Sequence, residues 1–115
     1  MRGIDPEATR ANLDAIVERL VARGIAVLIA GMQAPPNLGE GYAAAFNAIY
    51  PDLAERQGVL LYPFFLDGVA ADRSLNQSDG MHPNAAGVDV IVERMIEPVQ
   101  ALIAAARADG TTVER

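Results

Sequence analysis

The sequence predicts an α/β fold built on a parallel sheet. Three observations point there. Two short apolar runs, Ile25-Ala26-Val27-Leu28-Ile29-Ala30 and Val59-Leu60-Leu61-Tyr62, lack the alternation of a strand wetted on one face, so both of their faces need cover. Each run follows an amphipathic helical pattern and a glycine, Gly24 or Gly58. The resulting order of helix, strand, helix, strand, loop, helix is the alternation of layered α/β proteins.

The first helix is expected over residues 6–23. Asp5 can cap the free amides, Pro6 suits the first helical position and Glu7 complements the helix dipole. Leu13, Ile16, Val17, Leu20 and Val21 recur at helical spacing, with Arg10, Asp14, Glu18 and Arg23 largely opposite. Gly24 stands where a left-handed C-terminal cap is expected. Residues 25–30 form the first strand. The Gly31–Gly41 stretch, with Pro35, Pro36 and Asn37, is a loop leaving the strand's C-terminal end. Ligands of open α/β sheets bind at such ends, so this loop is either a substrate wall or a plain connector.

Tyr42, Phe46, Ile49 and Leu53 mark a second helix over 40–57, with a kink or restart expected at Pro51. Residues 59–62 form the second strand. Pro63-Phe64-Phe65-Leu66 is an apolar segment expected to pack beneath the polar, turn-rich stretch from Asp67 to Gly80. A long helix starts near Asn84 with Val88, Ile91, Val92, Met95, Val99 and Leu102 as its buried stripe, and Pro98 is expected to bend or split it. Residues 109–115 read as a frayed tail, which leaves 1–108 for one folded unit. Two strands make a small sheet, so the pattern suits part of a larger doubly wound domain.

Composition narrows the functional classes. A chain of 115 residues, 51% hydrophobic and 21% charged, is a single globular unit. The net charge of -6 offers no basic footprint for nucleic acid. Without cysteine there are no disulfides or thiolate metal sites, and the compartment stays open between bacterial cytoplasm and periplasm. No apolar run approaches the roughly 18 residues of a membrane span, and Met1-Arg2-Gly3-Ile4-Asp5-Pro6 lacks the apolar core of a signal peptide.

One constellation carries catalytic chemistry. Asp79-Gly80-Met81-His82-Pro83 holds the only histidine of the chain, three residues after a carboxylate. Histidine exchanges protons near neutral pH, and a neighbouring Asp can fix its tautomer and stabilise the imidazolium. Taken alone, the plainer reading is the favoured one, with Asp79 a turn residue and His82 a surface residue or helix cap. Ser74 and Ser78 share that loop, but neither sits in a Gly-x-Ser-x-Gly elbow. One histidine with scattered carboxylates is no metal-ligand set, and Gly39-Glu40-Gly41 is no phosphate-binding fingerprint. Neither metal nor cofactor is expected.

The block Asp79-Gly80-Met81-His82-Pro83-Asn84 resembles the last catalytic block, Asp-x-x-His-Pro, of the SGNH (GDSL-type) esterases. Residues 38–54, Leu-Gly-Glu-Gly-Tyr-Ala-Ala-Ala-Phe-Asn-Ala-Ile-Tyr-Pro-Asp-Leu-Ala, and 61–66, Leu-Tyr-Pro-Phe-Phe-Leu, are similar to the branch of thioesterase I, lysophospholipase L1 and arylesterases. Arg2-Gly3-Ile4-Asp5-Pro6 resembles the segment just after the family's Gly-x-Asn-Asp block. The resemblance implies the C-terminal part of a flavodoxin-like three-layer sandwich, with about two parallel strands and three main helices. It implies His82 as general base and acid, Asp79 as its orienting partner, and residues 32–39 beside the substrate, with Gln33, Pro35 and Asn37 as candidate contacts. The substrate implied is a small ester or thioester.

The family's Gly-Asp-Ser nucleophile block and its oxyanion Gly and Asn carry over to no residue of this sequence. Losing one oxyanion donor typically slows such enzymes about 100–1,000-fold, so the isolated chain is expected to be nearly inactive. Two expectations follow for its partners: the missing N-terminal half of the domain, or further copies of itself joined through the exposed sheet edge.

Overall fold

A computed structural model describes residues 5–108; the Arg2–Ile4 segment and the tail expected over 109–115 lie outside the described residues. Helix α1 spans Pro6–Ala22. Asp5 caps it, its Oδ1 accepting from the Glu7 amide at 3.0 Å. Beyond α1, Gly24 takes φ +76, a conformation L side chains rarely adopt. Strand β1 is Leu28–Ala30, shorter than the apolar run that announced it. Helix α2 covers Glu40–Gln57 and ends on the left-handed Gly58. Strand β2 is Leu60–Tyr62, and helix α3 runs from Ala85 to Ala108.

The strands pair in parallel, Leu28 opposite Leu60, Ile29 opposite Leu61 and Ala30 opposite Tyr62. Parallel pairing forces the chain to cross over between them, and α2 is that crossover. Helix α2 packs on both strands and on α1. Helix α3 packs on both strands and on neither of the other helices, so it occupies the opposite face. The described residues thus form three layers around a two-stranded sheet.

Most of the core belongs to α2. Phe46, Ile49 and Tyr50 form its centre, and Leu13, Ile29, Met32 and Leu61 pack against them. The Phe46 ring stacks on Tyr42 at 6.0 Å and meets the edge of Tyr50 at 5.7 Å. Burial raises the pKa of the Tyr50 hydroxyl above its ordinary value, as does the nearby Tyr42. Around the rim, Gln57 Nε2 donates to Asp14 Oδ1 at 2.7 Å and Arg56 pairs with Asp14 at 3.3 Å, tying α2 to α1.

Two expectations need correction. Helices α2 and α3 continue through Pro51 and Pro98, so neither the restart of α2 nor the split of α3 occurs. A proline removes one intrahelical bond, and the buried neighbours of Pro51, namely Ile49, Tyr50, Leu53 and Ala54, anchor that part of α2 in the core. The apolar stripes are also only half used. In α1, Val17 is buried but Ile16 and Val21 are exposed; in α3, Ile91 is buried but Val88, Val92 and Val99 are exposed. A sheet of two strands is too narrow to cover α3 fully, and α1 packs on α2 rather than on the sheet.

The burial pattern sets a stability test. Ile49 is 0% exposed, and its replacement in Ile49→Ala is expected to cost about 2–5 kcal/mol of unfolding free energy. Ile16 is 54% exposed, so Ile16→Ala is expected to change stability by no more than about 0.5 kcal/mol. Urea titrations followed by circular dichroism compare the two.

Candidate active site

The loops that follow β1 and β2 meet at the C-terminal ends of the strands. The Phe65 amide donates to the Gly31 carbonyl at 2.8 Å, and the Gly31 amide to the Tyr62 carbonyl at 2.8 Å. A Cβ on Gly31 would run into the Pro63 carbonyl oxygen, so the close approach requires glycine there. Asn47, on α2, accepts from the Ala34 amide at 2.8 Å and holds the first loop over the helix.

The second loop is built from side chains that satisfy backbone groups. Asp72 Oδ1 accepts from the Ser74 amide at 2.9 Å and from the Ser74 hydroxyl at 2.6 Å, which sets a short 3-10 turn at Arg73–Leu75. Asn76 Nδ2 donates to the carbonyls of Val69 and Asp72, each at 2.8 Å. Asn76 then pairs with Pro83 in an antiparallel bridge, and the Gln77 amide donates to the His82 carbonyl at 2.7 Å. Residues 77–82 therefore form a tight turn closed by its own backbone. Gly80, at φ +71, makes the reversal possible.

Asp79 and His82 face each other inside that turn. Asp79 Oδ1 accepts from the amides of Met81 and His82 at 2.8 and 3.1 Å. Its Oδ2 lies 2.6 Å from His82 Nδ1. The hydrogen bond from His82, followed by the two amides, lowers the Asp79 pKa from 3.8 to about 2. Asp79 is thus an anion at neutral pH and can only accept. Nδ1 must carry the proton, which leaves the Nε2 lone pair of a neutral imidazole pointing away from Asp79. The histidine side chain is 67% exposed and the aspartate 43%.

Asn84 fastens this turn to α3. Its Oδ1 accepts from the Gly87 amide at 2.9 Å, the N-terminal cap of the helix. Its Nδ2 donates to the carbonyls of Ser74 and Asn76 at 3.0 and 3.2 Å, and its amide donates to Leu75 O at 2.9 Å. Gly87 is buried where the first turn of α3 presses on the loop, and a Cβ there would collide with the Leu75 carbonyl oxygen.

A cleft of about 470 Å³ separates the two loops, lined by Gln33, Pro35, Phe64, Leu66, Gly80 and Met81 among others. Gln33 and Pro35 thus share a cavity with Gly80 and Met81, the two residues between Asp79 and His82. Asn37 lies exposed in the short turn Pro36–Leu38 and does not line it. Ser74 gives its hydroxyl to Asp72. Sequence reasoning missed the positioning asparagines Asn47, Asn76 and Asn84. Of these, only Asn84 had a local signal, as an N-cap type directly before a helix. Among the described residues no group of three or more His, Cys, Asp or Glu is arranged to hold a metal ion, and no helix is long and apolar enough to cross a membrane.

Residues 1–90, which include both Asp79 and His82, match the GDSL-like lipase/acylhydrolase family model. The chain belongs to that family. It is 34% identical over 103 residues to esterase TesA of Pseudomonas aeruginosa, covering 90% of this chain and 51% of that protein. It is 35% identical over 103 residues to thioesterase 1/protease 1/lysophospholipase L1 of Escherichia coli, covering 90% of this chain and 50% of that protein. A crystal structure of TesA superposes with a TM-score of 0.80 at 35% identity, over 88% of this chain and 56% of that one. This GDSL-family chain spans about half the length of the curated relatives it matches. The fold is the part of the SGNH three-layer sandwich that the sequence led us to expect.

Two measurements test the geometry of the turn. The folded pKa of Asp79 is depressed, so its contribution to the turn is present above pH 3.8 and lost as pH falls through about 2. A carbon-13 titration of the Asp79 carboxyl is expected to place its midpoint well below 3.8; a midpoint at 3.8 would show that the His82 contact is not formed in solution. Gly87→Ala sets a helix-propensity gain of about 1 kcal/mol against a collision with a backbone carbonyl that no rotamer relieves. Overpacking costs about 1–3 kcal/mol, so a net loss of stability is expected in denaturant titrations, with shifted amide resonances at Leu75 and His82.

Proposed function

We propose that this chain carries the base end of a serine carboxylic-ester hydrolase, with His82 as general base and acid and Asp79 as its orienting carboxylate. The observation that carries the reading is the 2.6 Å contact between His82 Nδ1 and Asp79 Oδ2. The lowered pKa of Asp79 keeps that partner ionised throughout the neutral range. Family membership supports the reaction class, and the name of the Pseudomonas relative supports the word esterase.

The chemistry follows from the tautomer. With Nδ1–H held by Asp79, Nε2 accepts a proton from an attacking hydroxyl and returns it to the leaving alkoxide or thiolate. The Asp79 anion stabilises the imidazolium formed between those steps. Water then repeats the sequence to release the acid from the acyl-enzyme. The hydroxyl nucleophile is assigned to the Gly-Asp-Ser block of the family, a tripeptide that does not occur in this sequence. Gln33 and Pro35 are assigned to the wall of the substrate cleft, with Asn37 at its outer approach, and the substrate is a small ester or thioester.

The test is hydrolysis of p-nitrophenyl butyrate by this chain joined behind the N-terminal half of Pseudomonas aeruginosa TesA. The joined protein is expected to be active. His82→Ala should lower kcat at least about 1,000-fold and Asp79→Asn about 1,000- to 10,000-fold, the loss seen when the orienting carboxylate no longer fixes the tautomer. A folded His82→Ala variant with parental activity would overturn the assignment. The 115-residue chain alone is expected to fall at least about 100-fold short of the joined protein, since it brings no oxyanion donors of the family type.

A further inference from the structure

Met81 stands apart from the other methionines among the described residues. Met32 and Met95 are half-buried, Met32 against the core of α2, whereas Met81 is 62% exposed. A single exposed apolar side chain is ordinary, but this one has a particular place. It lines the cleft of about 470 Å³ together with Pro35, Phe64 and Leu66, and it directly precedes His82 in the chain. Among the described residues no charged side chain lines that cleft. Its walls therefore suit the apolar part of a substrate, and Met81 supplies their flexible, polarisable portion.

The backbone of Met81 is held while its side chain is open to solvent. Its amide donates to Asp79 Oδ1 at 2.8 Å, and the His82 amide donates to the same oxygen at 3.1 Å. The Gly80 amide donates to the Gln77 carbonyl at 2.9 Å. None of these bonds uses the thioether, so a reaction at the sulfur leaves the turn and the 2.6 Å contact between Asp79 and His82 in place. Methionine sulfur is oxidised where an oxidant can reach it. A cleft open to an ester is open to hydrogen peroxide, which is smaller.

We propose that Met81 is a reversible oxidation site that sets the affinity of the cleft for apolar esters. A peroxide transfers one oxygen to the sulfur. Its O–O bond breaks, an S–O bond forms, the thioether loses two electrons, and the peroxide leaves as water or an alcohol. The product is a sulfoxide, polar and chiral where the thioether was apolar. Covering that oxygen with the apolar chain of a substrate costs free energy, so KM rises. The cost falls equally on bound substrate and transition state, and kcat is kept. The regulatory part of the inference rests on the cleft being the substrate site of the proposed hydrolase, whereas oxidation at Met81 is read without any hydrolysis.

Hydrogen peroxide is the probe, applied to the 115-residue chain and to the chain joined behind the N-terminal half of TesA. Peptide mass spectrometry is expected to find Met81 oxidised at least about 10-fold faster than Met32 and Met95 in both proteins. In the joined protein the KM for p-nitrophenyl butyrate is expected to rise about 10-fold with kcat kept, and a methionine sulfoxide reductase to reverse the rise. A Met81→Leu variant, compared with its own untreated rate, is expected to show no rise. Oxidation of Met81 no faster than that of Met32 would overturn the proposal. So would the same change of KM in treated Met81→Leu, or a loss confined to kcat. Selective oxidation of Met81 in a joined protein that hydrolyses no ester would leave the modification site standing and remove the catalytic reading.

Discussion

Asn84 is the residue on which the geometry of the site depends. Every polar group it possesses is engaged at the junction of loop and helix. Its side-chain oxygen caps α3, its side-chain nitrogen bridges the carbonyls of Ser74 and Asn76, and its amide reaches Leu75. The helix thereby fixes the loop and the loop fixes the helix. His82 lies two residues upstream, and Pro83 between them is itself bridged to Asn76. The imidazole is placed by this network of backbone bonds rather than by burial. A side chain 67% exposed has few packing contacts to define its position, so hydrogen bonds must do so.

The same economy governs the connection between site and core. Ion pairs contribute little: Arg94 and Asp67, 2.9 Å apart, are both about half exposed, and such pairs stabilise by at most about 1 kcal/mol. Contacts that admit only glycine are more exacting. Gly31 lets the two strand-end loops touch, and Gly87 lets α3 touch the loop that bears His82. Both glycines lie where backbone meets backbone carbonyl, a constraint that no flexible side chain can relax. The rigid elements are thus brought to the site by missing Cβ atoms as much as by attractive forces.

Much of this was legible in the sequence, and the exceptions have physical reasons. The three helices and two strands were marked by periodicity, by the Asp5-Pro6 start and by Gly24 and Gly58. Asp79 and His82 were visible as a pair because three residues of separation suits a tight turn. Asn76 and Asn47 were not visible, since their partners lie 4–13 residues away in sequence and the contact exists only after folding. The α3 stripe misled in an instructive way. Val88, Val92 and Val99 were expected inside because a helix sequence records the surface it is built to bury. Exposure records what the described residues supply, here a sheet of two strands.

Exposure also bears on the chemistry of His82. Charges at a protein surface are screened by water and salt. Both side chains of the Asp79–His82 pair are exposed. An imidazolium formed during acyl transfer would be screened there, and the orienting carboxylate would lend it little. Less water around Asp79 would strengthen its hold on the Nδ1 proton and its stabilisation of a cation formed there.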